Sequence, residues 1–434
     1  MPDLEQKLKD KTAVIGIIGL GYVGLPLAVA FSQAGFKVIG FDMQPKRVDS
    51  INQGQSYIAE ISNESIAALV AGKLLQATTE QKRLREVNAV CICVPTPLTK
   101  AKEPDLSYII HESEELVKHL QPGQLVVLES TTYPGTTREI MQPILERSGL
   151  KAGLNFHLAY SPERIDPGNK KYGVKNTPKI VSGIDAQSTK LVELLYGQIA
   201  DKVVTVSSLE AAEMTKVFEN VFRNVNIALV NELAQLCRHM GISVWEVIDA
   251  AATKPFGFTP FYPGPGVGGH CIPLDPYYLA YKAREYDFHT RFIELAAEIN
   301  ERMPYHVTDR IMEAVNDRGK SLKGAKVLVL GVAYKKDVAD LRESPSLHLI
   351  QLLQAKGAAV SYNDPYIPEI QLPRGNLSSM DLTEKTVSAA DCVVIATSHS
   401  RYDLKQIAGQ AKLIFDTRGV TRGLKNKNII RLGE

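Results

Sequence analysis

The chain has 434 residues, 44% hydrophobic and 23% charged, with a formal net charge of +2. That length exceeds what one hydrophobic core usually supports, so two or three domains are expected. Basic and acidic residues are interspersed, which excludes the single-signed field of a nucleic-acid or acidic-membrane binder and points to small-molecule partners.

In chain order, MPDLEQKLKDK is charged and lacks the apolar core of a signal peptide, and no run of about 18 apolar residues follows it, so a cytoplasmic protein without a membrane span is expected. AVIGIIG then reads as a strand, LGYVGLPLAVAFSQAG as a turn and helix, and FKVIGFD as a second strand: one βαβ unit with the continuous apolar strands of a parallel sheet. AVCICVP, QLVVLEST and KIVSG extend the pattern with intervening helices such as DLSYIIHESEELVKHL, giving a first domain over 1–206.

Ser207 with Glu210 makes a capping-box signature, no glycine or proline follows before Gly241, and one helix of roughly 50 Å results. Such a helix bridges domains or packs on a second copy; it opens a central helical domain over 207–318. The polar linker NDRGKSLKG leads to AKVLVLGVAY, AAVSYNDP, DCVVIATS and KLIFDTRG, a third domain over 319–434. The expected fold is α/β, two Rossmann-like doubly wound parallel sheets joined by a long central helix.

Five cysteines without paired C-x-x-C spacing argue against a disulfide framework or structural zinc. Cys91, Cys93 and Cys392 lie in apolar strands and read as small buried hydrophobes. Cys271 differs, because FYPGPGVGGHCIPLD surrounds it with glycines that permit unusual backbone and prolines that fix it. His270 beside it invites a zinc reading, yet no further Cys or His stands at metal spacing.

Gly19-Leu20-Gly21-Tyr22-Val23-Gly24 follows a strand and opens a helix, and Asp42 ends the next strand: the dinucleotide fingerprint in its required context. Asp42 favours NAD over NADP by repelling a 2′-phosphate, with nearby Lys46 and Arg47 acting against it. The turn LGVAYKKDVADLRES has one glycine where a pyrophosphate loop needs several, so no second dinucleotide site is expected there. Lys335, Arg342 and Arg418 lie at strand ends of that domain, either as ligand contacts or as a solvated rim.

On the long helix, Lys216, Asn220 and Arg223 share one face. They form either an oxyanion-holding group beside a hydride acceptor or a surface stripe in which Glu213 pairs with Lys216. Cys271 as thiolate is a nucleophile, Asp275 orients a water or begins a helix, and Glu163 in SPERIDPGN is a second carboxylate for handling protons.

These residues, with VPTP at 94–97, STTYPGTT, SPER, EMTKVFEN, GVGGHCIPLDP and AYKKDVADLRESPS in the same order, identify a chain that resembles the UDP-glucose/GDP-mannose dehydrogenases over essentially its whole length. The resemblance implies an NAD-binding N-terminal domain, a central dimerising helix giving a homodimer or higher homo-oligomer, and a C-terminal domain that holds UDP. It implies oxidation of a sugar C6 alcohol to a carboxylate by two NAD molecules, without a metal, for polysaccharide precursors such as those of the lipopolysaccharide O-antigen. By position, Cys271 is the nucleophile, Lys216 and Asn220 hold the oxyanion, Asp275 orients water, and Thr131 and Glu163 are further active-site groups.

The same resemblance directs Gly19, Gly21, Tyr22, Val23, Gly24, Asp42, Arg47, Pro95, Thr96, Ser130, Thr131 and Arg342 to the cofactor. It directs Glu163, Arg164, Lys216, Asn220, Arg223, Tyr262, Gly264, Gly266, Gly268, Lys335 and Arg418 to the nucleotide sugar. One departure matters: UDP-glucose enzymes of the family carry a second glutamate four residues after the position of Glu163, and Pro167 stands there. The SPERIDPGN and TKPFGFTPFYPGPGVGGHC stretches resemble instead the branch acting on N-acetylated sugars, so a UDP-N-acetylhexosamine is expected, UDP-N-acetylglucosamine before UDP-N-acetylmannosamine or UDP-glucose. The rival enzyme class is the single-step 3-hydroxyacid and 6-phosphogluconate dehydrogenases. A non-catalytic nucleotide sensor is the rival outside enzymes.

Overall fold

The apolar runs become the central strands of two sheets. The computed structural model describes residues 3–58, 60–166, 169, 171–269 and 272–434. The chain folds as two units, Met1–Glu219 with Tyr277–Phe288, and Asn220–Pro276 with His289–Glu434.

The first unit holds β1 (Val14–Ile18), β2 (Lys37–Phe41), β3 (Leu75–Thr78), β4 (Ala89–Ile92), β5 (Leu125–Leu128), β6 (His157–Tyr160), β7 (Lys179–Gly183) and β8 (Val203–Thr205). They form one sheet in the order β3-β2-β1-β4-β5-β6-β7-β8. Every residue of β4 and β5 is buried, as strands covered on both faces require.

All neighbours are parallel except β6 and β7, where Tyr160 pairs with Ser182 in antiparallel register. Among the described residues no helix lies between these two strands, and a parallel crossover would need one. The reversal has a chemical consequence. It puts the first residue of β7, Lys179, at the edge where β5 and β6 end.

The second unit has a wholly parallel sheet, β10-β9-β13-β14-β15, of β9 (Lys326–Leu330), β10 (Ala359–Asn363), β13 (Cys392–Ile395), β14 (Ile414–Asp416) and β15 (Ile429–Arg431). A small antiparallel pair, β11 (Glu369–Ile370) and β12 (Leu377–Ser378), stands apart. One face of the sheet packs on Met303, Val307 and Ile311 of the helix Arg291–Asn316 and on Leu349 and Leu353 of the helix Pro345–Ala355. The other packs on Val387, Ile407 and Ala408.

The long helix runs from Leu209 to Met240, 32 residues. Residues up to Glu219 belong to the first unit and those from Asn220 to the second, so the segment 207–318 is divided between them. Its cap is Ser208, whose hydroxyl accepts from the Ala211 N–H at 3.1 Å, rather than the expected Ser207 with Glu210. Glu210 also accepts from Arg138 Nε at 2.6 Å. Gly241 ends the helix as its position predicts, with φ of 69° in the left-handed region.

Candidate active site

The first unit carries the dinucleotide loop between β1 and the helix Gly24–Gln33. A Cβ on Gly19, where φ is 86°, would lie 2.7 Å from the Cys93 carbonyl oxygen, and one on Gly24 would lie 1.8 Å from that of Gly19. Both positions therefore exclude any side chain. A Cβ on Gly21 would meet nothing within 4 Å, so the loop is open where a pyrophosphate would rest. Tyr22 is exposed, and Val23 sits at the helix start.

Asp42 accepts from the Leu20 N–H through Oδ2 and from the Gln44 N–H through Oδ1, both at 2.9 Å. Arg47 lies 3.2 Å from the same Oδ2, and the Tyr57 hydroxyl donates to the Leu20 carbonyl at 2.5 Å. Gly21, Tyr22, Lys46, Arg47, Tyr57 and Ile58 help line a cavity of about 340 Å³ beside this acid. Glycines that admit no Cβ, open space above Gly21 and an adjacent cavity fit a dinucleotide. Arg47 is tied to Asp42 itself.

At the next strand ends, Thr96 Oγ1 donates to the Thr131 carbonyl at 2.7 Å and Ser130 Oγ to the Val94 carbonyl at 2.8 Å, which pins the Val94–Pro97 turn to the Ser130–Thr132 turn. Tyr278 donates its hydroxyl to the Thr96 carbonyl. Thr131 is half-buried at the same edge.

Glu213, which the sequence offered only as a surface partner for Lys216, is fully buried and reaches this edge instead. Its carboxylate accepts from the Gly135 N–H at 2.5 Å, the Thr137 N–H at 2.9 Å and the Thr137 hydroxyl at 2.6 Å. Burial pushes it up to about 7 against those donors. It fixes the TTYPGTT turn to the long helix one turn before Lys216. Lys216 is buried and makes no ion pair among the described residues.

Glu163 follows β6. Its Oε1 accepts from the Arg164 N–H at 2.6 Å and the Ile165 N–H at 2.7 Å, and its Oε2 from Lys179 Nζ at 3.1 Å. Lys179 Nζ also donates to Glu129 Oε2 at 3.0 Å. Burial raises Glu163, but the Lys179 ammonium and the two backbone donors hold it below the ordinary carboxyl range. Arg164 makes a two-pronged pair with Glu219, at 2.5 and 3.2 Å, so its guanidinium braces the SPER turn on the long helix.

In the second unit the long helix turns asparagines inward at 220, 224 and 231. Asn220 donates to Asp275 Oδ2 at 2.5 Å, with both side chains buried, and Asn224 donates to the Ile272 carbonyl at 3.1 Å. Asn231 accepts from the Gly264 N–H at 2.9 Å and donates to Asn300 Oδ1 at 2.9 Å. These three hold the glycine-rich loop along the helix. Arg223 is exposed, because the inward rhythm after Asn220 is four residues.

The glycines of the loop are required by protein neighbours. A Cβ on Gly264 would lie 2.6 Å from Arg418 Nη1, one on Gly268 2.7 Å from Tyr334 Cβ, and one on Gly266, at φ 132°, 3.0 Å from Pro345 Cβ. The Gly269 N–H donates to the Arg342 carbonyl at 3.0 Å. His270, Cys271 and Pro167 lie outside the described residues.

Arg418 donates through Nε to the Ala396 carbonyl at 2.7 Å, and burial lowers its guanidinium to about 10 against the nearby Asp416. Arg342 is exposed and chelates Asp340, with Nη2 at 2.6 Å from Oδ2; Lys335 is half-buried. Tyr262 stacks on Trp245 with centroids 6.0 Å apart, and its hydroxyl donates to Asp249 at 2.8 Å. In this domain Asp364 accepts from the Val332 and Ala333 N–H groups at 2.8 and 3.0 Å and meets His399 Nε2 at 3.0 Å, so the acid at the place corresponding to Asp42 is internally engaged.

Sequence missed Glu129, Lys179 and Glu213. A lysine at the head of KIVSG resembled an ordinary strand edge, and only the β6–β7 reversal turns it toward two carboxylates.

Three family models cover nearly the whole chain: the NAD binding domain of the UDP-glucose/GDP-mannose dehydrogenase family over 13–200, its central domain over 210–302 and its UDP binding domain over 328–423. The chain is 36% identical over 414 residues to UDP-N-acetyl-D-glucosamine 6-dehydrogenase of Salmonella typhi, covering 94% of this chain and 96% of that one. It is 37% identical over 390 residues to UDP-N-acetyl-D-mannosamine dehydrogenase of Pyrococcus horikoshii, covering 89% and 90%. The solved structure of the UDP-D-ManNAc dehydrogenase from Pyrococcus horikoshii superposes with a TM-score of 0.88 at 33% identity, over 97% of this chain and 99% of that one. With a dinucleotide loop, an engaged Asp42 and buried Lys216 and Asn220 on one helix, the chain belongs to the UDP-glucose/GDP-mannose dehydrogenase family of NAD-dependent oxidoreductases acting on UDP-sugars.

Proposed function

We propose that the protein oxidises the C6 alcohol of a UDP-N-acetylhexosamine, UDP-N-acetylglucosamine by preference, to the uronic acid. The observation that carries this reading is the buried pair Lys216 and Asn220, one helical turn apart, with Asn220 bonded to Asp275 four residues beyond Cys271. The relatives named for N-acetylated sugars and the proline at 167 support the substrate class.

The Gly19–Gly24 loop and Asp42 would hold NAD, which would supply the hydride acceptor for each of two oxidations. Glu163 takes up the hydroxyl proton, and Lys216 and Asn220 stabilise the oxyanion that develops as the C6–H bond breaks. The Cys271 thiolate adds to the resulting aldehyde and forms a thiohemiacetal. Loss of the second hydride leaves a thioester, and water oriented by Asp275 hydrolyses it, releasing the acid and restoring the thiol. Thr131 belongs to the strand edge of the first unit that also carries Thr96 and Ser130. Arg223, Lys335, Arg418 and Tyr262, with the glycines at 264, 266 and 268, are read as the nucleotide-sugar side, and Arg164, paired with Glu219, as a brace of the SPER turn. The product serves as a cytoplasmic polysaccharide precursor, such as one for O-antigen.

A single-step hydroxyacid oxidation would need neither Cys271 nor a UDP-binding domain. The test is NADH formed per sugar consumed across UDP-N-acetylglucosamine, UDP-N-acetylmannosamine, UDP-N-acetylgalactosamine and UDP-glucose. Two NADH per sugar and highest kcat/KM for UDP-N-acetylglucosamine are expected. One NADH with free aldehyde would overturn the mechanism, and preference for UDP-glucose would overturn the substrate class.

The long helix is read as the dimer contact. Phe218, Phe222, Leu229 and Leu236 are each about half exposed and recur at spacings of four, seven and seven, a stripe that a second copy would cover. Leu229→Glu should convert a dimer to monomer by light scattering; an unchanged mass would place the interface elsewhere.

A further inference from the structure

The strand edge behind Glu163 holds more buried charge than folding needs. Lys179, with a side chain 4% exposed, lies between Glu129, 0% exposed, and Glu163, 11% exposed. One lysine with one carboxylate would be neutral. This lysine has two, so the cluster keeps a net negative charge in a place where burying charge is costly.

The hydrogen bonds define the form of each member. Tyr196, from the helix Ala186–Tyr196, donates its hydroxyl to Glu129 Oε1, and Lys179 Nζ donates to both Glu129 oxygens, at 3.4 and 3.0 Å. Glu129 therefore accepts on every side, as an anion does. Burial pushes it up, and the Lys179 ammonium opposes that. Lys179 is itself held charged by the two carboxylates against its desolvation. Glu163 has both oxygens occupied by donors, so a proton on it would displace one of three hydrogen bonds.

We infer that Lys179, anchored by Glu129 and Tyr196, is a positioning residue that holds Glu163 as a carboxylate of fixed orientation, the form that accepts a proton from substrate. The inference rests on the reading of Glu163 as the proton-handling group. The other groups facing this cluster are the Cys91 and Cys93 thiols, from and just after β4, and the Arg164–Glu219 pair. Burial raises both thiols, so they stay neutral, and Arg164 and Glu219 satisfy each other. Lys179 is thus the one cation bonded to Glu163 among the described residues.

The pH dependence carries the test. Removing Lys179 leaves desolvation of Glu163 uncompensated and must raise the pH at which it loses its proton, whereas removing Glu129 takes away a like charge and must lower that pH or leave it in place. The experiment measures kcat/KM against pH for the full-length protein, with NAD and UDP-N-acetylglucosamine or the UDP-N-acetylhexosamine the panel prefers, alongside thermal melts. Glu163→Gln comes first. If it keeps full turnover, Glu163 does not handle the proton, and that reading fails together with this one.

If Glu163→Gln is impaired, Lys179→Met should move the acid limb up by about one unit or more. So should Lys179→Met/Glu129→Gln, which removes the second buried carboxylate and leaves Glu163 as the one charge of the cluster. Lys179→Arg should return the limb toward its original place, and Glu129→Gln should shift it down or not at all. An acid limb unmoved in both Lys179→Met backgrounds, or moved up in Glu129→Gln, would reduce the cluster to a structural ion pair.

Discussion

Asn220 donates its side-chain amide to Asp275 Oδ2 at 2.5 Å, joining the middle of the long helix to the first residue of the helix Asp275–Ala283. Both are buried, so the bond is made away from bulk water and fixes the end of the glycine-rich loop.

Asn220→Ala should therefore leave a buried acid without one of its donors and displace the loop end. Turnover should fall on the order of 10²-fold or more, the usual cost of losing one preorganised donor in a dry site. Asp275→Asn, which keeps the shape, should impair hydrolysis more than the first oxidation, read as an NADH burst followed by a slow steady phase. Equal loss in both phases would confine Asp275 to holding the loop.

Lys216→Ala should reduce kcat far more than it raises KM, by on the order of 3 kcal/mol in transition-state stabilisation. Its neighbour Glu213 is occupied by the Gly135 and Thr137 donors and so does not compete for the ammonium. A change confined to KM, measured by initial rates over a range of UDP-sugar concentrations, would make Lys216 a binding residue.

NADP should serve poorly beside NAD. Because Arg47 is paired with Asp42, replacing the acid removes a repulsion and also releases a cation toward a 2′-phosphate. Asp42→Asn, which keeps an acceptor for the Leu20 or Gln44 N–H, should narrow the NAD preference on the order of tenfold, equivalent to about 1.4 kcal/mol. Asp42→Ala should narrow it too, at a cost in thermal stability. Equal use of both cofactors by the unaltered protein would contradict this account of Asp42.

Glu213 predicts a pH effect on stability. Its folded value of about 7 lies above the ordinary glutamate value of 4.5, so between these the folded protein holds a proton that the unfolded chain has released. Stability from this group is present below about 4.5 and is lost as pH rises through about 7. Glu213→Gln should flatten the fall of Tm between pH 5 and pH 7.5, followed by calorimetry. A slope unchanged by the substitution would show that Glu213 is ionised throughout that range.

Local chemistry determined the parts of this protein that depend on neighbours in sequence. The Gly19–Gly24 turn, Asp42 twenty-odd residues later, the long helix ended by Gly241 and the spacing of Lys216 from Asn220 all follow from backbone freedom and helix period, and the structure keeps them. The cap falls one residue later than the sequence suggests, because Ser207 and Ser208 offer the same hydroxyl and the helix starts at Leu209.

Tertiary structure decided the rest. Glu213 lies on a helix face that no single sequence shows to be buried, and its partners are 76 and 78 residues away. Lys179 meets Glu129 from a distance of 50 residues, and it does so because β7 runs antiparallel to β6 and starts where β5 ends. The glycines around Cys271 were legible as unusual, but the atoms that require them, on Tyr334, Pro345 and Arg418, come from segments more than 60 residues onward. Periodicity reports which residues share a face. It does not report what that face will meet, because strand order and direction are set by packing of the whole sheet.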